Sequence, residues 1–197
     1  MKTKYYFSEL PENYEEVFSI DATKRKTSIL FTVFAGVITA VLIFLVLLYI
    51  KKPSEIETND IIVPAFLIAP SMIIYIILHE LTHGLFYKIF THEKLKFGFT
   101  LTVAYCGVPN LYVKKWPNFI TVIAPFVIFN SVFLIPFFLI DSYFYKLLFG
   151  ILLSIHNSGC IGDLTVAYLL LFRFRDKDYL INDTGPKQTF YKKVRLE

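Results

Sequence analysis

The stretch IILHELTHGLFYKIF, residues 76–90, sets two histidines and a glutamate inside a run that otherwise reads as membrane-embedded helix. Ionisable side chains at that depth are costly, and where they occur they mark function. On an α-helix, positions four apart differ by about 40° and rise about 6 Å, so His79 and His83 can address one metal ion while Glu80 stands beside it. The HExxH spacing therefore predicts two zinc ligands and a general base. Zinc needs at least one further protein ligand and an open position for water, whose proton the glutamate accepts as the water attacks a carbonyl.

The rest of the chain supplies a membrane setting for that helix. With 55% hydrophobic and 18% aromatic residues over 197 positions and a mean hydropathy of +0.56, the composition excludes an ordinary soluble globule. Four apolar stretches, about Ser28 to Ile50, Ile61 to Tyr87, Phe119 to Ile140 and Leu147 to Phe172, each exceed the roughly 20 residues that a hydrocarbon core of about 30 Å requires. The expected fold is an all-α membrane protein, one integral-membrane domain over residues 1–197. It has four transmembrane helices (28–50, 61–87, 119–140 and 147–172), a short cytoplasmic β-hairpin-like loop between helices 2 and 3, and a cytoplasmic tail over 173–197. The first apolar run is too long for a signal-peptide core and lacks a small-residue cleavage site, so it is expected to stay uncleaved.

Lysine and arginine number five before the first helix, four between Thr91 and Trp116, and seven from Arg173 onward. Lys51, Lys52 and Lys146 are all that the other two loops hold. This asymmetry predicts a multi-pass protein of the cell membrane with both termini and the second loop in the cytoplasm. The net charge of +4, concentrated on that side, reads as topology and contact with anionic lipid. No nucleic-acid motif or aromatic-basic pattern accompanies it, so nucleic acid is not an expected partner. Cys106 and Cys160 are far apart and have no CxxC spacing, which excludes a disulfide framework and a zinc knuckle. Cys160 reads as a small buried hydrophobe.

The third zinc ligand follows from depth. Phe86 and Ile89 occupy the glycine and histidine positions of HExxHxxGxxH, which excludes the soluble three-histidine class. His92 is turned to the far side of the helix and Glu93 begins a loop, so both read as solvated. Counting from helix ends near Lys88 and Arg173, His79 lies about 13 Å, His83 about 8 Å and Asp163 about 15 Å from one membrane face. Asp163 is therefore the expected third ligand, whereas Asp141 sits at the opposite face. His156, about 25 Å up its helix, is the alternative if helix 4 is broken across Ser158-Gly159-Cys160-Ile161-Gly162. Ser158 and Gly162 have the small-xxx-small spacing of close helix packing, which serves either a ligand donated across an interface or packing alone. Asn157 and His156 are candidates to line the same cavity. Asn157 either donates to a substrate oxyanion or makes an interhelical hydrogen bond.

From Lys96 to Tyr105 the chain alternates, with Phe97, Phe99, Leu101 and Val103 on one face, as in a half-buried strand that turns over Cys106 to Asn110 and returns over Leu111 to Val113. Its edge either holds an extended substrate peptide by strand addition or forms an interfacial aromatic belt. Asp183-Thr184-Gly185, in the polar tail, reads as a turn.

HELTH on a membrane helix is followed by a cytoplasmic segment, another membrane helix, and an aspartate preceded by Asn and Gly on the last one. This arrangement resembles the site-two-protease class of intramembrane zinc metalloproteases, and looks most like the small bacterial proteins known as "putative zincin peptidases". The resemblance covers about Ile61 to Phe172. It implies a zincin-like membrane metalloprotease with one Zn2+ per chain, in which His79, His83 and Asp163 are the ligands and Glu80 is the base. It also implies hydrolysis of peptide bonds in membrane-associated peptides or proteins, within the bilayer or at its surface. Site-two proteases usually carry an Asn-x-x-Pro segment ending in Leu-Asp-Gly, whereas this chain has HNSGCIGDL, without proline and with Leu164 after the aspartate. That departure leaves the ligand set intact and bears on substrate handling. The alternative function is a non-catalytic membrane protein that binds or transfers metal or protons with the same residues. The expected partners are the substrate and the bilayer, and the oligomeric state is left open.

Overall fold

The computed structural model describes residues 5–55, 58–100 and 103–194. The chain forms two compact units, one of Met1–Phe31, Glu80–Pro125 and Gly162–Glu197, the other of Thr32–His79 and Phe126–Ile161.

The described residues form five α-helices: α1 (Arg25–Tyr49), α2 (Thr58–Thr91), α3 (Lys115–Leu139), α4 (Tyr143–Gly159) and α5 (Ile161–Tyr168), the last continuing into a π-helical turn at Leu169–Arg173. Among the described residues three helices are long and apolar enough to cross a membrane: Arg25–Tyr49, Ile61–Thr91 and Lys115–Leu139. Tyr143–Gly159 and Ile161–Arg173 make a fourth only if that bent pair is one span. The interruption falls at Cys160, inside the small-residue stretch that allowed for a break.

Side-chain exposure explains why these helices suit lipid. Along α1 only Val46 is buried, while Val33, Val37 and Leu48 are more than half exposed. On α2 the buried positions Tyr75, His79, His83, Tyr87 and Thr91 recur every four residues, while Ile73, Ile77, Leu81 and Leu85 face outward. At about 40° per step that stripe winds slowly round the helix, with adjacent members on one face. A helix with polar atoms turned inward and hydrocarbon turned outward is arranged for a bilayer rather than for water.

The all-α expectation with four spans is overturned. The first unit contains a five-stranded antiparallel sheet in the order β1-β5-β6-β7-β2, built from Tyr6–Phe7, Tyr112–Lys114, Tyr179–Asp183, Lys187–Lys193 and Tyr14–Asp21. The segment read as a polar tail supplies the central strand, β6, and β7 beside it. Their hairpin turns at Gly185, which has φ 98°, so the expected turn over Asp183-Thr184-Gly185 is present. A second, two-stranded sheet pairs β3 (Lys96–Phe99) with β4 (Ala104–Gly107). This is a hairpin between α2 and α3, but residues 104–107 form its second strand, where a turn over 106–110 was expected, and the return segment near Leu111 joins the large sheet instead.

Packing in each unit follows from these elements. In the first, Ile181 and Phe190 of the sheet are fully buried with Val122 of α3, Val166 of α5 and Leu170 of the π turn. Each such side chain contributes about 1.5–3 kcal/mol relative to exposure. Phe174 stacks at 4.9 Å from Phe190 and 5.9 Å from Phe18, closing the same core. In the second unit Tyr75 packs with Phe129, Phe133, Leu148 and Leu152. A Cβ on Gly150 would lie 2.6 Å from a Val46 methyl, so glycine permits that close approach of α4 to α1.

Candidate metal centre

In the first unit, His83 is 7% exposed and its Nδ1 lies 2.9 Å from the Thr121 carbonyl on α3. A carbonyl can only accept, so Nδ1 carries the ring hydrogen and Nε2 is left with the lone pair. Nε2 faces Asp163 Oδ2 at 3.4 Å. A lone pair opposite a carboxylate oxygen at that distance is stable only around a shared cation, either a second ring proton or a metal ion. Asp163 stands in the first turn of α5 and its side chain is 20% exposed. Glu80 is partly buried on α2, three residues before His83 and therefore a neighbour on the helix surface.

In the second unit, His79 is 8% exposed and its Nδ1 lies 3.2 Å from the Tyr75 hydroxyl, which is also 2.9 Å from His156 Nδ1. One hydroxyl hydrogen cannot serve both rings. His156 Nε2 is 3.3 Å from the Phe126 carbonyl, which assigns the proton to Nε2 and the lone pair to Nδ1. Asn130 Nδ2, also 3.3 Å from that ring nitrogen, has its shorter bond, 2.8 Å, to the same carbonyl. Tyr75 then donates to His156, and His79 Nδ1–H donates to the Tyr75 oxygen. Each histidine of HELTH thus uses Nδ1–H to fix its ring and carries the lone pair on Nε2, the arrangement that usually supports a metal-binding imidazole.

The other expected positions are placed as follows. Asn157 donates to Asn130 Oδ1 at 3.0 Å and to the Leu153 carbonyl at 2.9 Å. His92 is exposed with φ 57°, just past the end of α2, and Glu93 accepts a bond from the Tyr6 hydroxyl at 3.1 Å. Asp141 is exposed. Ser158 accepts from Thr39 at 2.6 Å, an α1 to α4 contact, whereas a Cβ on Gly162 would meet nothing within 4 Å. Phe97 and Phe99 lie on β3, 47% and 87% exposed; Val103 is in the turn, and Leu101 lies outside the described residues. The Phe97 ring tip would be 2.7 Å from a Cβ on Gly84, so β3 passes against α2 one residue after His83. Burial pushes the Cys106 thiol up to about 12, with the nearby Asp183 adding to the effect, which leaves it a protonated and inert group.

Tyr75 and a second network, Tyr87 with Asn118 and Asp183, are absent from the sequence reading. The Tyr87 hydroxyl donates to Asp183 Oδ2 and accepts from Asn118 Nδ2 at 3.0 Å. The signal was available, since Tyr75, His79, His83 and Tyr87 are spaced by four along α2.

An HExxH helix whose histidines are both oriented through Nδ1, with an aspartate against one Nε2, defines a candidate zinc centre of the zincin type on an apolar helix. The chain belongs to the family described as "putative zincin peptidase", whose model matches residues 72–177. That match takes in HELTH, the β3–β4 hairpin and Asp163, but none of β1, β2, β6 or β7. No curated protein and no solved structure matches the chain.

Proposed function

We propose that the protein is a membrane zinc metallopeptidase of site-two-protease type, with His79, His83 and Asp163 as ligands to one Zn2+ and Glu80 as general base. The observation that carries this reading is the His83 Nε2 to Asp163 Oδ2 approach of 3.4 Å, with His83 Nδ1 committed to the Thr121 carbonyl. His79 stands one turn earlier on the same continuous helix. Two imidazoles and a carboxylate are a donor set suited to zinc, and they leave a position open for chemistry.

A zinc ion bound there supplies Lewis acidity toward water and a peptide carbonyl. The protein's own residues do the rest. The Glu80 carboxylate accepts a proton from the attacking water and returns it to the departing amine nitrogen. Thr121 and Tyr75 hold the imidazoles so that no reorientation is required during the reaction. The substrate is a membrane-associated peptide or protein, and β3 is the element that takes it: an extended segment added to the β3 edge, beside Gly84, would run past the motif.

Strands bonded in one sheet occupy one side of a bilayer, so the N-terminal segment, the loop after α2 and the C-terminal segment share a side. Sixteen of the twenty basic residues fall in those three segments, which supports a cytoplasmic sheet in the cell membrane.

The test is Glu80→Gln in the purified full chain. It should retain zinc, because Glu80 is not a ligand, while its cleavage of the proteins trapped on it falls at least about a hundredfold below that by wild type. His83→Ala and Asp163→Ala should lose the metal. Undiminished cleavage by Glu80→Gln would overturn the mechanism.

A further inference from the structure

His79, His156 and Cys160 are all buried and all belong to the second unit, and one ligand atom from each lies within 4.8 Å of the others. Cys160 caps the C-terminal end of α4, one turn after His156, with Sγ 3.6 Å from His156 Nδ1. The Tyr75 hydroxyl bridges the two imidazoles. Around them the setting is aromatic: Tyr75, Phe129 and Phe133 have ring centroids 5.5, 5.9 and 5.9 Å from that of His156.

We propose that His79, His156 and Cys160 form a second metal site, selective for a soft monovalent d10 cation, Cu+. The donor set is two imidazoles and one sulfur with no carboxylate, a combination that disfavours hard cations. Charge then separates Cu+ from Zn2+. Binding requires the thiolate, so Cu+ yields a neutral cluster whereas Zn2+ leaves one net positive charge in an apolar surround, where an uncompensated charge is costly. Uptake releases the Cys160 proton to solvent with no change in oxidation state, and the ion displaces the Tyr75 hydroxyl from between the rings. His79 belongs to both donor sets. Cu+ taken at Nδ1 shifts the His79 ring proton to Nε2, the nitrogen that the HELTH ion would use, so the cluster stays neutral and loading this site weakens the other. That consequence rests on the zinc reading above; the site itself does not.

The experiment is a Cu+ titration of the reduced, purified full chain against a chromogenic Cu+ chelator. Wild type, Asp163→Ala and Cys106→Ser should each bind one Cu+ with a thiolate-to-metal ultraviolet band. Cys160→Ser and His156→Ala should bind at least about a hundredfold more weakly, beyond the loss expected for a supporting residue. X-ray absorption on Cu+-loaded wild type, which needs no variant to fold, should report one sulfur and two nitrogen donors. Wild-type affinity no tighter than that of Cys160→Ser, a band lost in Cys106→Ser, or a copper spectrum without sulfur would overturn the site. Wild type that binds Cu+ but no zinc would sink the function proposed above and leave this site standing.

Discussion

At the scale of single residues, the polar groups along α2 are arranged as hydrogen-bond chains rather than as isolated charges. Tyr75 orients His79 and the Thr121 carbonyl orients His83. Tyr75→Phe should therefore weaken zinc binding by about 10- to 100-fold with the fold retained, measured by competition with a zinc chelator. Asp183 provides a pH prediction. Burial raises its pKa from 3.8 to about 7, against the lowering effect of the Tyr87 and Gly185 hydrogen bonds. A raised carboxyl binds its proton more tightly in the folded state, so its contribution to stability is complete below 3.8 and is lost as pH rises through about 7. The difference is worth on the order of 4 kcal/mol. Asp183→Asn should flatten the dependence of Tm on pH across that interval, and an unchanged profile would contradict it. HELTH and Asp163 were legible in the sequence because ionisable groups in a membrane helix are conspicuous. Tyr75 and Tyr87 were marked only by their four-residue spacing from the histidines, because tyrosine is ordinary in such helices and its role shows only through what its hydroxyl touches.

At the scale of elements, the first three helices were legible, the fourth is broken at Cys160, and most strands were not legible. An apolar run of more than twenty residues announces itself locally. The sheet's strands are short and partly polar, and they pair over long range, Tyr14 with Lys193 and Tyr6 with Val113. In β2 the alternation is also broken by a bulge between Glu16 and Phe18, which leaves Val17 46% exposed and turns Phe18 to the core. KQTFYKK, the sequence of β7, looks like a solvated tail until Phe190 is seen fully buried. Phe190→Ala should cost about 3–5 kcal/mol, read as a drop in Tm. Gly185→Ala should also destabilise, by more than about 1 kcal/mol, because φ is 98° and a Cβ there would lie 2.1 Å from Tyr105 Cδ2. A Tm within experimental error of wild type for either variant would place the hairpin outside the core.

At the scale of the whole molecule, the sheet joins three parts of the sequence that apolar helices separate. Single cysteines placed in the N-terminal segment, in the loop after α2 and in the C-terminal segment should share one labelling pattern in whole cells, protected from an impermeant reagent outside. Labelling of one but not the others would break the sheet topology. Truncation before Tyr179 withdraws β6 and β7, so the N-terminal segment should become protease-sensitive although it is distant in sequence. The same architecture imposes an order on biosynthesis. β2 leaves the ribosome before α1, α2 and α3, yet its partner β7 follows all three. At about 5–20 residues per second, β2 waits roughly ten to forty seconds with its edge unsatisfied at the membrane surface. Throughout that interval the nascent chain offers to chaperones or to other chains the strand edge that β7 later covers.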